Sequence, residues 1–448
     1  MRKGKRRPGP SCSLCGLTIP DIDRHTLVRN LSILGITSIF TKLMVLFLTV
    51  SLFGSFIDLF DISVYLGYAM NVLDGQIPYV DFSVEYPFMF MIPVLIPLIP
   101  AVIANDAYAY VTGFQVLMSF FDILTLFLVY LIGLRLFDNK QAFRAALLYA
   151  TAFAASYFIL TKYDSFPTFL LVLGIFATVY GRPAGGYLAV ILGFFTKVFP
   201  IIAAPFLIPF NAVKTSQKTE IISFLKVTVV CSVILLAPMI FLVQDWYSPF
   251  LFATGTGVGV YANTVTYTLY NILNVLLHIP ISEDTISLGM YAVMIGIVGS
   301  LVLVSWVKGV ENPRRLLVLI AVTLFSVIFC TKFHSPQYLV WLTPFYALLL
   351  VDSLRNMIMF YLLQAVVYIE FPLSWGVLYV NRGYVDAIGT PGWYSALAFF
   401  IIHAAVYVAS AVLIVKSDAT LCSDIRSAGK QIASTIRQRV AGPQQVKE

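Results

Sequence analysis

Runs of about 20 apolar residues recur between residues 33 and 415, each long enough to cross the hydrocarbon core of a bilayer as a helix. In lipid every backbone N–H and C=O needs an internal partner, so a chain of this pattern folds as a helical bundle. Composition agrees: 59% of the 448 residues are hydrophobic and 11% are charged, too few polar groups to cover a soluble domain of that size. The expected fold class is all-α, a polytopic transmembrane helical bundle.

Charge orients the bundle. The net charge of +7 sits largely in the termini: Arg2, Lys3, Lys5, Arg6 and Arg7 precede the first span, and Lys416, Arg426, Lys430, Arg437 and Arg439 follow the last. Positive-inside bias places both ends in the cytoplasm. Topology thereby explains these clusters, and no nucleic-acid partner is expected. The first span is expected at 33–57, with Lys42 snorkelling to the cytoplasmic face, so that the chain is outside from Asp58 onward. The stretch 86–104 is short and holds Pro87, Pro93, Pro97 and Pro100. As an outer juxtamembrane or re-entrant element it keeps Arg135, Lys140 and Arg144 on the inner side. Spans are expected at 108–134, 144–160, 165–181, 221–243, 285–306, 315–330, 337–351, 356–377 and 393–415.

Residues 186–210 begin and end beside cytoplasmic bases, yet carry Thr196-Lys197-Val-Phe-Pro200 in the middle. Two half-length helices meeting there would hold Lys197 at membrane depth, where a charge marks function by default. With these halves the count is about twelve spans, an even number that suits two cytoplasmic ends. The organisation is then a basic tail 1–32, a membrane domain 33–415 and a basic tail 416–448. In the last, Leu421, Ile425, Ile432, Ile436 and Val440 recur at helical spacing, as in an amphipathic helix on anionic lipid. Segment 265–278 reads as an interfacial helix. Cys12 and Cys15 form a lone CxxC without the second pair a zinc site would need, and Cys231 and Cys330 read as packing residues. The glycines Gly255, Gly257 and Gly259 follow no strand, so they read as loop flexibility rather than a nucleotide fingerprint.

Five carboxylates (Asp58, Asp61, Asp74, Asp81 and Glu85) crowd the loop after the first span. On this topology the polar groups that converge on the outer face at membrane depth are Asp58, Asp61, Glu85, Lys162, Asp164, Lys197, Lys332, His334 and Gln337. A phosphate leaving group needs cations and an acceptor hydroxyl needs a base, so acids among lysines suit chemistry on a charged lipid headgroup. Spacing leaves alternatives open. Asp61 could be the base or a helix N-cap; Asp58 is its rival on the same helix face; the pair could hold a metal, though no His accompanies them. Lys197 could be a snorkelling lysine, Lys332 and His334 a wet loop end, and Lys162 with Asp164 a local salt bridge.

Three segments together carry a family resemblance. Asp61-Ile-Ser-Val-Tyr65 with Asp74-Gly-Gln-Ile-Pro78-Tyr79 and Glu85-Tyr-Pro87 resembles the first outer loop of the GT-C glycosyltransferases that use polyprenyl phosphate sugars. Glycosyltransferase family 87 and the enzymes adding the first mannose to GPI anchors are the nearest in pattern. Gly193-Phe-Phe-Thr-Lys197-Val-Phe-Pro200 resembles their Lys-x-x-Pro helix turn. Thr331-Lys332-Phe-His334-Ser-Pro-Gln337-Tyr338 with Trp341 resembles their late loop. The resemblance covers residues 58–344.

It implies a GT-C bundle with Asp61 as the base that deprotonates the acceptor hydroxyl, and Lys197 and Lys332 neutralising the departing phosphate. The remaining motif and loop residues (Asp58, Tyr65, Tyr79, Glu85, Lys162, Asp164, His334 and Gln337) are expected around the substrates. The implied activity is inverting transfer of a hexose, with mannose favoured, from a polyprenyl or dolichyl phosphate sugar. The acceptor would be a glycolipid or lipid-linked glycan on the extracytoplasmic side of a cell membrane or endomembrane. The acids stand three apart, whereas the GPI enzymes have Asp-x-Asp; that departure weighs against a GPI substrate and against a metal pair. No metal or cofactor is expected. The rival reading is a secondary transporter or flippase, motivated by the broken helix at Lys197. Arg382 and Asp386 are candidates for acceptor contacts.

Overall fold

The computed structural model describes residues 12–14, 17–19, 22–52, 56–253, 258–380 and 382–440. Among these, the only strands are two short antiparallel pairs, Cys12–Leu14 with Leu17–Ile19 and Tyr379–Val380 with Gly383–Tyr384; the rest of the regular structure is helix. Among the described residues seven helices are long and apolar enough to cross a membrane: Arg24–Ser51, Ala107–Leu136, Gln217–Leu242, Glu283–Lys308, Pro313–Cys330, Leu354–Leu378 and Pro391–Lys416. The chain is therefore an all-helical, multi-pass membrane bundle.

All seven of these helices, and the shorter Asn139–Ala150, start on a polar cap. The side chains of Asp23, Asp106, Asp138, Ser216, Ser282, Asn312, Ser353 and Thr390 each accept a backbone N–H of the first turn. Such caps satisfy donors that have no partner inside the helix. Burial then sorts the helices. Pro313–Cys330 is 72% buried over its most apolar stretch and runs through the core, whereas Gln217–Leu242 is only 11% buried there. The exposed surface of the latter is made of Val229, Val230, Val233, Ile234 and Phe241. In water such a face would need a partner; in a bilayer it is the surface that meets acyl chains.

Several boundaries differ from those expected. The first helix starts at Arg24 rather than near residue 33, because Asp23 caps it by accepting Thr26 N–H at 2.9 Å. Lys42 does not snorkel. It is 4% exposed and pairs with Asp122 at 2.5 Å, and Tyr149 Oη donates to the other oxygen of that carboxylate at 2.6 Å. The pair joins the first helix to Ala107–Leu136 inside the bundle. The segment expected as one span at 144–160 is two helices, Asn139–Ala150 and Phe153–Thr161, bent by 53°. Residues 86–104 form only short helices, Phe88–Phe90, Met91–Leu95 and Leu98–Ala104, broken near their prolines. Segment 265–278 is helical as Val265–Tyr270 and Asn271–Leu276, and the C-terminal segment is the helix Leu421–Val440. Cys15, Gly255 and Gly257 lie outside the described residues, as do Arg2, Lys3, Lys5, Arg6 and Arg7 of the basic N-terminal tail.

The helices that position the candidate site are short. Ser165–Val179 packs against Pro183–Phe194, and at Gly186 a Cβ would collide with Thr178 Oγ1 and with the Gly174 carbonyl. Glycines here let the two backbones touch, as membrane helices use small residues to do. Pro183–Phe194 ends at Phe195, and the chain resumes as Phe199–Ala203 and Ala204–Ala212. Two half-length helices thus meet at residues 195–198. A Cβ on Gly193 would lie 2.8 Å from Pro200 Cβ, so only glycine lets the returning proline close that turn.

Candidate active site

The five carboxylates of the first loop separate into distinct roles. Asp74 ends the helix Phe60–Leu73, and Asp81 accepts the Ile77 N–H at 2.7 Å; both shape the loop. Tyr79, at φ 69°, donates its hydroxyl to the Tyr86 carbonyl at 2.7 Å and clasps the loop closed. Asp58 and Asp61 share one cation. Lys162 Nζ stands 2.8 Å from Asp58 Oδ2 and 3.1 Å from Asp61 Oδ1. The two acids are not equivalent. Asp58 Oδ1 also accepts the Phe60 N–H at 3.0 Å, so both of its oxygens are engaged, while Asp61 Oδ2 has only a long 3.5 Å contact from Tyr65 Oη. Asp61 does not cap its helix: the N-cap position is Leu59, without a side-chain bond, and Asp61 lies in the first turn, where the helix dipole favours an anion. Glu85 lies close enough to feel it. Partial shielding, and then the Asp61 charge, push the Glu85 carboxyl above its ordinary pKa.

Lys162 does not pair with Asp164. The connection Lys162-Tyr163-Asp164, between Phe153–Thr161 and Ser165–Val179, sends its lysine to Asp58 and Asp61 and its aspartate to Lys197. Lys197 Nζ meets Asp164 Oδ1 at 2.8 Å, and Trp341 Nε1 donates to the same oxygen at 2.5 Å. Asp164 is fully buried and its other oxygen, Oδ2, has no hydrogen-bond partner among the described residues. Rings surround the Lys197 ammonium: Tyr163, Trp341, Tyr86 and Tyr338 have centres 4.7, 5.2, 5.5 and 5.7 Å away. Their faces supply cation–π attraction in place of lost hydration. Phe199 and Tyr338 each stack on Trp341 with ring centres 4.0 Å apart. The half-helix turn therefore carries Lys197 into a pre-built aromatic cage. Tyr65 joins the same wall, edge-on to Phe90 and Tyr163.

The late loop divides. Gln337 is buried in the turn Pro336–Tyr338 that leads into Leu339–Leu349, and through Tyr338 and Trp341 this segment reaches Lys197. Lys332 is half-buried and its carbonyl accepts the Tyr261 N–H at 2.9 Å; among the described residues no ion pair ties it to the acids. His334 faces a different set. Its ring lies beside His403 and Tyr407, and Glu370 and His403 stand with it in one buried group. Burial first, opposed by Glu370, pushes the His334 imidazole down to about 4. Glu370 and His403 did not stand out among the apolar runs that contain them, although an ionisable residue inside such a run is itself the signal.

Arg382 lies against Gly259, and both it and Asp386 are exposed near the short pair Tyr379–Val380 and Gly383–Tyr384. No protein-family model matches the sequence, and no curated protein matches it.

Proposed function

We propose that the chain is a GT-C-type inverting hexosyltransferase that uses a polyprenyl or dolichyl phosphate sugar, with mannose the favoured hexose. The observation that carries this is the pairing pattern: two acids held by Lys162 in the first loop, joined through Tyr163 to a caged Lys197–Asp164 pair. In the proposed step Asp61 removes the proton of the acceptor hydroxyl. The acceptor oxygen bonds the anomeric carbon as the sugar–phosphate bond breaks, and the lipid phosphate leaves. A β-linked donor would give an α-glycoside by this single displacement. Asp61 is favoured over Asp58 because one of its oxygens is nearly free, whereas the Phe60 N–H and Lys162 engage both of Asp58's. Lys197 and Lys332 supply positive charge to the leaving phosphate. At the two acids Lys162 sits between the carboxylates and supplies the charge a bridging metal would, which supports transfer without a metal there. Tyr65, Tyr79 and Glu85 shape the pocket around the substrates. A glycolipid or lipid-linked glycan reaching the site from the outer leaflet is the proposed acceptor, with about twelve membrane passes and both termini cytoplasmic.

A specific observation favours a second reading. A second broken element, Asn139–Ala150 with Phe153–Thr161, accompanies the split at residues 195–198, and paired broken helices are a mark of secondary transporters. The two breaks are unlike: one is a 53° bend without a buried lysine, the other a turn bearing Lys197. Mass spectrometry of membrane lipids and glycans from a strain lacking the protein separates the readings. A species one hexose short supports the transferase. Unaltered glycans, with hexose or lipid-linked sugar accumulated by proteoliposomes, overturn it.

A further inference from the structure

We propose that His334, Glu370 and His403 form a binding site for a divalent first-row transition ion, Zn²⁺ in the first instance, which clips the late loop to the last two long helices. The three residues come from three places: the connection after Pro313–Cys330, the kinked stretch Ile369–Ser374 and the middle of Pro391–Lys416. All are buried, at 7%, 0% and 2% exposure. One ligand atom of each lies within 4.8 Å of the other two. Two ligands on one tetrahedral zinc stand about 3.4 Å apart at ordinary bond lengths, and His403 Nδ1 and Glu370 Oε2 are already 3.2 Å apart.

The site is marked by polar atoms without partners. His334 Nε2, Glu370 Oε2 and His403 Nδ1 are all buried with no hydrogen bond among the described residues. Buried polar atoms are rarely left so, and three converging in one place call for a common partner. A charged His403–Glu370 pair would use two of them, but their 3.2 Å approach lacks hydrogen-bond alignment and leaves His334 Nε2 unused.

The outer contacts fit ligation. Asn263 Nδ2 donates to Glu370 Oε1 at 3.3 Å, orienting the carboxylate, and Asn263 Oδ1 is itself unpartnered. A cavity of about 20 Å³ lined by Asn263, Thr264, His334, His403 and Tyr407 leaves room for a water as fourth ligand. Two imidazoles and one carboxylate suit Zn²⁺ over Ca²⁺ or Mg²⁺, which prefer oxygen-only sets. None of the three residues takes part in the proposed transfer step, so the site holds whether or not the chain transfers sugar.

The test uses the full chain purified in nanodiscs. Elemental analysis after growth in zinc-supplemented medium should find one zinc per chain, and Co²⁺ added to chelator-treated protein should give the visible absorption of four-coordinate nitrogen–oxygen ligation without a thiolate band. Glu370→Gln and His403→Gln should each lower Zn²⁺ affinity by about ten-fold or more, while His278→Gln, at an exposed histidine, should not. Wild-type protein that binds neither ion, or variants that bind as wild type does, overturns the proposal. Should the variants fail to fold, the Co²⁺ spectrum of the wild-type chain decides on its own.

Discussion

At the scale of single residues, membrane-depth charges divide into those the fold uses and those it holds ready. Lys42 with Asp122 belongs to the first kind: it sits away from the acid loop and every Asp122 oxygen is engaged. Removing one partner strands a charge in low dielectric, so Lys42→Met should cost about 3–5 kcal/mol. Lys42→Met combined with Asp122→Leu should restore part of that loss, as read by thermal unfolding in detergent; equal losses in the single and double variants would show that the pair carries no such coupling. Lys162 belongs to the second kind, since among the described residues it is the cation paired with both Asp58 and Asp61. Lys162→Met should therefore lower transfer more than Asp58→Asn does, measured as turnover in membranes. Glu85 gives a pH signature. Its carboxyl is held above the ordinary value of 4.5, so the native state binds its proton more tightly than the unfolded chain does. Above 4.5 the unfolded carboxyl loses its proton first, and native stability falls as pH rises up to the raised folded value. Glu85→Gln should remove that slope, a small effect because the group is partly solvated, and unfolding midpoints of the two proteins across this window should converge at low pH.

At the scale of elements, the half-length helices were legible in the sequence because Lys197 and Pro200 interrupt an apolar run whose two ends both carry bases. The C-terminal helix was legible from the spacing of its apolar residues, and the loop after the first span from its acids. Partner choice was not legible. Lys162 and Asp164 are two residues apart and look like a pair, yet the turn between their helices points them to opposite sides, toward acids more than 100 residues earlier and a lysine 33 residues later. Nor did spacing reveal that Lys42 meets Asp122, or that His334 belongs with Glu370 and His403, because each contact is made by helix packing over long sequence distances. The Gly193–Pro200 contact makes the half-helix turn testable as an element. Gly193→Val should push Pro200 away and displace Lys197 from its cage. Transfer should fall by about ten-fold or more while the protein still elutes as a folded species in detergent; unchanged turnover would detach the turn from the chemistry.

At the scale of the whole molecule, the bundle brings the first loop, the turn at 162–164, the half-helix turn and the late loop together around buried charge that stability alone does not require. Helices such as Gln217–Leu242 keep an exposed apolar surface suited to acyl chains. Sugar transfer from a lipid phosphate, with Asp61 as the base, is the central claim. The most direct measurement is turnover of a labelled polyprenyl phosphate mannose in membranes carrying the wild-type chain or Asp61→Asn at equal protein levels. The expected result is mannosylated product from the wild type and a loss of about 10²–10⁴-fold in the variant. Equal turnover by the two proteins would contradict the role of Asp61, and uptake of labelled sugar without any glycosyl product would contradict transfer itself.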